Sequence, residues 1–260
     1  MNDTRYDRHG VVVVALAAVV LTFGPAAAGG LSVDVEAGPV FSGYNDVRIP
    51  GSTGTDFSLV DDLDAQVAVG IRGRVSYAFG DRHWVSLLVA PLRVKSLGSF
   101  DREVFFAGEW FPAGTELEAL YRFDSYRLSY RYGLVRTERF RLDLGLTAKV
   151  RDAEIGLSAF GASPDITAGE AKKTNTGLVP LVSFRADWQP APRLGLELDG
   201  DALAVPQGRA EDVSAALRLG LSDRVDARVG YRLLEGGSDA GEVYGFALFH
   251  YAVAGLTLRL

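Results

Sequence analysis

The chain has 260 residues, no cysteine, a formal net charge of −6, and 48% hydrophobic against 23% charged residues. A net negative balance excludes a nucleic-acid partner, which needs a basic face for phosphate. The lack of cysteine removes thiolate catalysis, Cys-based zinc sites and a lipid-anchored cysteine, and suits passage through an oxidising compartment. The length fits one all-β domain, since barrels of roughly 200–250 residues commonly form a single unit. Composition does not separate a soluble domain from a membrane one, so pattern has to decide.

The first element is an apolar run from Val11 to Phe23, preceded by Arg5 and Arg8 and followed by Pro25, Ala26, Ala27 and Ala28. It is shorter than the ~20 residues of a membrane-spanning helix. With small residues at Ala26 and Ala28, it has the layout of a secretory signal peptide over residues 1–28, cut after Ala28. A retained anchor is the alternative, because Asp3 and Asp7 dilute the basic start. No later stretch is long and apolar enough to be a transmembrane helix.

From Gly29 onward the period is two. Leu31, Val33, Val35, Ala37 and Pro39 alternate with Ser32, Asp34, Glu36 and Gly38. Val67, Val69, Ile71, Val75, Tyr77 and Phe79 alternate with a face carrying Arg72 and Arg74. Further strands are predicted over 84–95, 117–134, 140–150, 178–188, 194–200, 213–221, 225–233 and 243–260, which makes ten. In the third, apolar residues change face, and Pro91 predicts a bulge there.

The connections alternate in length. Residues 80–82, 136–139, 189–193 and 222–224 are short turns, whereas 42–64, 97–116, 151–175, 201–212 and 235–242 are long. Tyr77, Phe79, Trp84, Tyr130, Tyr132, Phe140 and Trp188 cluster beside the short turns and predict an aromatic girdle at a membrane–water boundary. The expectation is an all-β, transmembrane antiparallel up-and-down barrel over 29–260, with about ten strands, short periplasmic turns and long external loops. A soluble periplasmic sandwich is the alternative.

The last strand, Tyr251 to Leu260, alternates to its end, with Gly255, Leu258 and Leu260 spaced like a terminal insertion signal. In this it resembles the bacterial outer-membrane β-barrel superfamily, although Leu260 replaces the usual terminal aromatic and Val253 a common polar residue. The resemblance implies export through the periplasm to the outer membrane, contact with outer-membrane lipid and lipopolysaccharide, and recognition by the barrel-assembly machinery.

Candidate chemistry is sparse. His83, beside a short turn, reads as an interfacial residue contacting headgroups or solvent. His250-Tyr251-Ala252 resembles the His-x-Ser arrangement of outer-membrane lipid A deacylases, but Ala252 replaces the nucleophile. Counting back from Leu260 also puts His250 on the lipid face unless a bulge intervenes. Surface proteases of the omptin kind share the strand count and pair Asp with His near the rim. Here Asp56, Asp61, Asp62, Asp64 and Asp201 are read as rim carboxylates, in solvated loops by default. Asp61-Asp62-Leu63-Asp64 lacks calcium-loop spacing, so no metal and no cofactor are assigned.

The inward face carries Asp34, Glu36, Arg72, Arg74, Arg141, Asp143, Lys149, Arg185, Asp187, Glu197, Asp199, Arg218, Asp226, Arg228, Arg232 and Arg259. These charges are expected to pair and fill the lumen, since an isolated buried charge costs several kcal/mol. A narrow charged pore for small solutes is the alternative. Phe105, Phe106, Trp110 and Phe111 place aromatic groups in a long loop, as a contact surface for a surface ligand. The expected function is a non-enzymatic barrel, structural or ligand-binding at the cell surface, with a pore second and a hydrolase acting on lipid or peptide third.

Overall fold

The computed structural model describes residues 29–160 and 169–260, so the expected leader and its cleavage point lie outside the described residues. Ten barrel strands run in chain order: β1 (Gly29–Arg48), β2 (Ala68–Phe79), β3 (His83–Ala90, continued as Arg93–Ser99), β4 (Glu116–Arg136), β5 (Phe140–Ala159), β6 (Glu170–Ala191), β7 (Leu194–Val205), β8 (Gly208–Gly220), β9 (Val225–Asp239) and β10 (Tyr244–Arg259). Each pairs antiparallel with the next. β10 then returns to β1, from Ser32 opposite Arg259 to Arg48 opposite Tyr244, so the sheet closes without an edge.

Closure makes every second side chain an outside residue. The outward positions from Leu31 to Phe41 on β1, from Leu142 to Val150 on β5 and from Leu178 to Ala186 on β6 hold only Leu, Val, Ala, Pro and Phe. Val69 is 71% exposed, Leu178 70% and Leu146 68%, and Val229 and Leu256 stand out likewise on β9 and β10. Monomeric soluble proteins rarely expose a contiguous apolar surface larger than a few hundred Å². On a closed barrel, whose backbone groups are all paired between strands, such a band is the surface that faces lipid, and the chain spans a membrane.

Ionic groups mark where the band ends on the long-loop side. Facing outward there, Arg122 binds Asp152 at 2.7 Å, Glu154 at 3.3 Å and Asp124 at 3.2 Å, and Arg93 joins Asp124 at 3.3 Å. Across the barrel, the Tyr44 hydroxyl donates to Glu235 at 2.6 Å and Arg209 binds the same carboxylate. At the short-turn end Tyr77, Phe79, His83, Tyr130 and Tyr132 form a chain of ring contacts, with His83 hydrogen-bonded to the Tyr130 hydroxyl at 2.8 Å. Phe140 and Trp188 are exposed on the same girdle. Trp84 departs from the expectation, because it points into the lumen beneath the Arg136 guanidinium, 4.0 Å from its ring.

Several expected loops are strand instead. β5 and β6 continue to Ala159 and from Glu170, and β7 and β8 leave only Pro206 and Gln207 between them. The hairpins therefore rise beyond the membrane band as sheet, and Asp201 and Asp212, at the two ends of the expected loop 201–212, become lumen positions. Pro91 interrupts the β3 ladder without a bulge, since Ala90 opposite Ser125 and Arg93 opposite Arg122 keep one register. The register shift on this side of the barrel lies in β1, between Ser42 and Tyr44.

Replacing Leu146 with arginine puts a charge in the middle of the lipid band. It should cost about 2–4 kcal/mol of barrel stability, read by urea unfolding in lipid vesicles. A variant as stable as wild type would mean that this face does not meet lipid.

Candidate functional site

The lumen is filled in tiers, and its middle tier is ionic. Asp199 on β7 accepts a forked pair of bonds from Arg74, at 2.6 and 2.9 Å, and one from Arg131 at 2.6 Å, with Arg72 at 3.5 Å. Asp212 on β8 takes the fork of Arg232 at 2.6 and 2.7 Å and a short contact from Arg127. Arg127 also reaches Asp201 at 2.8 Å, whose other oxygen accepts from Thr147 at 2.7 Å. Arg228 spans Asp34, Glu36 and Glu197 at 3.3–3.5 Å, and Arg185 joins Glu197 at 2.6 Å and Asp187 at 2.9 Å. Planar guanidinium forks suit this setting, because each can bind two carboxylate oxygens in fixed geometry.

All sixteen charges assigned to the lumen from the sequence lie on inward-facing positions. Arg141 is exposed at the short-turn rim, and Lys149 is buried without an acid partner among the described residues. The sequence reading omits four members of the tier, Arg127, Arg131, Asp201 and Asp212. For the arginines the signal is plain: Ser125, Arg127, Ser129 and Arg131 alternate with Tyr126, Leu128, Tyr130 and Tyr132. Asp201 is corrected from rim carboxylate to lumen residue, 2% exposed, because its strand runs past Gly200.

Above the charges the wall turns apolar. Val40, Leu92, Val94, Leu234, Phe249 and Tyr251 pack together inside the barrel with Tyr121 and Phe123. This explains the face change in β3, where Leu92 and Val94 point inward into an apolar tier. The two tiers meet through cation–π contacts, Arg232 over Tyr251 at 4.6 Å and Lys149 over Phe123 at 4.7 Å.

Over the mouth lies a cap built from the long connections. Phe57 packs edge-on against Phe100 and Phe106, with centroids 5.1 and 5.6 Å apart. Leu59, Leu63, Val104 and Phe111 complete a core that sits on the inward residues Val47, Leu117, Ala119, Leu157 and Ala171. Residues 104–111 form a tight hairpin whose turn, Ala107 and Gly108, has φ of 50° and 97°, as a two-residue primed turn requires. Alternation then splits its aromatics. Phe106 and Phe111 are fully buried and cannot serve as the expected contact surface, while Phe105 and the half-exposed Trp110 pack against each other outside with tilted rings, centroids 4.9 Å apart.

Arg102 ties the cap down. It forks onto Asp62 at 2.9 and 3.0 Å and donates to the Asp56 carbonyl at 2.8 Å, while the Ser58 amide donates to Asp62. The Arg102 bonds hold the Asp62 carboxyl below the usual carboxylate range, against the opposing effect of partial burial, with the Ser58 amide adding to the lowering. Asp62, expected as a free rim charge, is thus part of the cap's framework.

Cavities open at both ends of the lumen among the described residues. One, of about 830 Å³, opens at the short-turn end among Arg74, Trp84, Arg131, Arg136, Asp143, Arg218 and Asp226. The other, of about 420 Å³, opens at the long-loop end beside the cap, floored by Tyr121, Phe123, Leu234 and Phe249 and lined by Lys149, Arg151, Asn175 and Lys173. They share no lining residue, and Arg72, Asp199, Arg127, Asp212 and Arg232 belong to the ionic tier between them.

His250 faces outward, hydrogen-bonded to Tyr231 on the exterior, and His83 is in the girdle. Neither approaches a lumen carboxylate. Gly255 faces the lumen, while Leu258 and Leu260 are exposed on the outer face of β10.

In fold the chain is similar to the outer membrane protease OmpT from Escherichia coli, with a TM-score of 0.56 at 11% identity over 89% of this chain and 97% of that one. An outer membrane channel from Pseudomonas putida F1 aligns with a TM-score of 0.45 at 10% identity, covering 92% of this chain and all of that one. The attachment invasion locus protein Ail of Yersinia pestis aligns at 0.38 and 13% identity, covering 88% and 99%. The first likeness shows the fold, that of an outer-membrane β-barrel. No protein-family model matches the chain, and no curated protein sequence does.

Two outcomes follow from this geometry. Asp199→Ala leaves Arg72, Arg74 and Arg131 around an absent carboxylate and should cost about 3–5 kcal/mol in urea unfolding, the range for breaking a buried ion pair; a loss under ~1 kcal/mol would mean the arginines find other partners. Because the folded Asp62 carboxyl lies below its unfolded value near ~3.9, its stabilisation is present above that value and lost as pH falls through the folded one. Hydrogen exchange of residues 55–65 and 100–111 should therefore quicken, after correction for intrinsic rates, below about pH 4. Asp62→Asn should show that faster exchange at neutral pH, and protection unchanged by either perturbation would contradict the role given to this pair.

Proposed function

We propose that the protein is a non-conducting barrel of a bacterial outer membrane that acts through its outer mouth, as a surface protein that binds a ligand there. The observation that carries this reading is the filled lumen: two separate cavities with a continuous Arg–Asp tier between them and a cap over one end. A solute would have to part bonds at Asp199, Asp201 and Asp212, whose carboxylates are each held by arginine.

In this reading the short turns face the periplasm, and the cap with its neighbouring cavity faces outside. The exterior girdle and the ionic groups above the band meet lipid and lipopolysaccharide headgroups. The terminal strand, closing against β1, would be the segment offered to the barrel-assembly machinery. Hydrolysis is disfavoured, since His250 stands on the lipid-facing exterior with Ala252 below it and Tyr231 as its partner.

Planar-bilayer recording tests this reading. The purified barrel should insert without stepwise currents, and deletion of the 101–114 hairpin should leave it silent, because the ionic tier lies beneath the cap. Regular conductance steps from the intact protein would replace this reading with the narrow pore.

A further inference from the structure

The cavity at the long-loop end has a charge arrangement that the barrel's own packing does not use. Lys149 is 2% exposed, lines this cavity, and makes no ion pair or hydrogen bond among the described residues; its ammonium lies over the Phe123 ring at 4.7 Å, and Arg127, Asp212, Arg232 and Asp201 act on it from the ionic tier without bonding to it. One position along β5, on the same inward face, Arg151 reaches Asn175 through one terminal nitrogen while its buried Nε has no hydrogen-bond partner.

The carboxylates that line the cavity are engaged elsewhere. Glu154 binds Arg122, Glu235 binds Tyr44 and Arg209, and Glu242 binds Lys173 at 3.2 Å. Below, Asp212 is held by Arg127 and Arg232, and Asp201 by Arg127 and Thr147. Among the described residues two cations thus face the cavity floor without an ion-paired acid, beside a hydrophobic wall in which Tyr121 packs against Phe249 at 5.2 Å and Phe123 at 6.2 Å. A buried charge without a partner is costly, and a cavity of about 420 Å³ lies within the usual range for small-molecule sites.

We propose that this cavity binds a small amphipathic organic anion, a carboxylate on an aromatic or compact aliphatic body, with the carboxylate on Lys149 and Arg151 and the body against Tyr121, Phe123 and Phe249. The proposal rests on the reading that the mouth binds a ligand, and gives that ligand its chemical class. An inorganic anion would leave the aromatic wall bare. A neutral aromatic would leave the two cations unanswered.

The test is titration calorimetry of the full barrel in detergent with 2-naphthoate, against 2-naphthalenemethanol as the neutral counterpart and inorganic phosphate as the anion without a body. Naphthoate should bind saturably and at least about tenfold more tightly than either comparator, as a charge-assisted hydrogen bond implies. Lys149→Met keeps the length of the side chain and should bring naphthoate down to the level of the alcohol.

Equal binding of acid and alcohol, no binding of naphthoate, or undiminished binding by Lys149→Met would overturn the proposal. Should Lys149→Met fail to fold, Arg151→Gln and the acid–alcohol comparison on the intact barrel decide. Bilayer recording on the same preparation keeps the two readings apart. A barrel that conducts but binds naphthoate removes the sealed-barrel reading and leaves the site; a silent barrel that prefers neither ligand removes the site alone.

Discussion

The structure depends on one constraint, that the charge excluded from the lipid-facing surface has to be accommodated inside a narrow closed sheet. A strand in this barrel has two faces, and the outer one is apolar over the membrane band apart from His250 and its partner Tyr231. Charge is therefore forced inward on many strands at once. Asp199 and Asp212 are the points where that charge converges, taking guanidinium groups from β2, β4 and β9. The paired layer holds strands on opposite sides of the barrel to one another, far apart in sequence. Strand closure supplies the frame, and the ionic tier fixes what that frame encloses.

From the same constraint comes the division of the lumen. Where the outer wall is apolar, the lumen is charged. Further toward the long loops the outer wall acquires Arg93, Arg122, Asp152, Glu235 and Arg209, while the interior changes to Leu92, Val94, Phe123 and Phe249. Inside and outside thus exchange character along the barrel axis. Above the membrane the barrel is organised like a water-soluble protein, with a hydrophobic core inside and ion pairs outside, and the cap extends that core. Lys149 sits where the two regimes meet, its ammonium over the Phe123 ring and its charge next to the ionic tier of Arg127, Asp212 and Arg232.

Much of this was legible in the sequence because period two survives inspection by eye. Strand count, closure by the last strand, the short-turn girdle and the inward direction of Asp34, Arg74, Asp199 and Arg232 all follow from alternation. The outward direction of His250 follows from the same counting. What alternation does not show is where polarity inverts. Leu92 and Val94 resemble a bulge only if the lumen is taken as polar throughout, whereas the register from Ala90 to Arg93 is unbroken. Asp201 and Asp212 look like loop residues because the strands that carry them end, by hydrophobicity, at Gly200 and Val213, yet the sheet continues beyond the lipid. The cap is illegible for a different reason. Phe57, Phe100, Phe106 and Phe111 come from separate connections with no shared period, and only their convergence makes them a core. The same holds for the anion cavity, since nothing local to Lys149 says that each nearby carboxylate already has a partner.

The central claim, that the chain is a closed membrane-spanning barrel, is tested most directly by fractionating expressing cells and running heated and unheated samples on a detergent gel. A folded, sealed barrel held by the ionic tier should appear in the outer-membrane fraction and migrate differently before and after boiling. A protein recovered in the soluble fraction, with the same mobility heated or not, would contradict the account and turn its apolar band into the buried face of some other assembly.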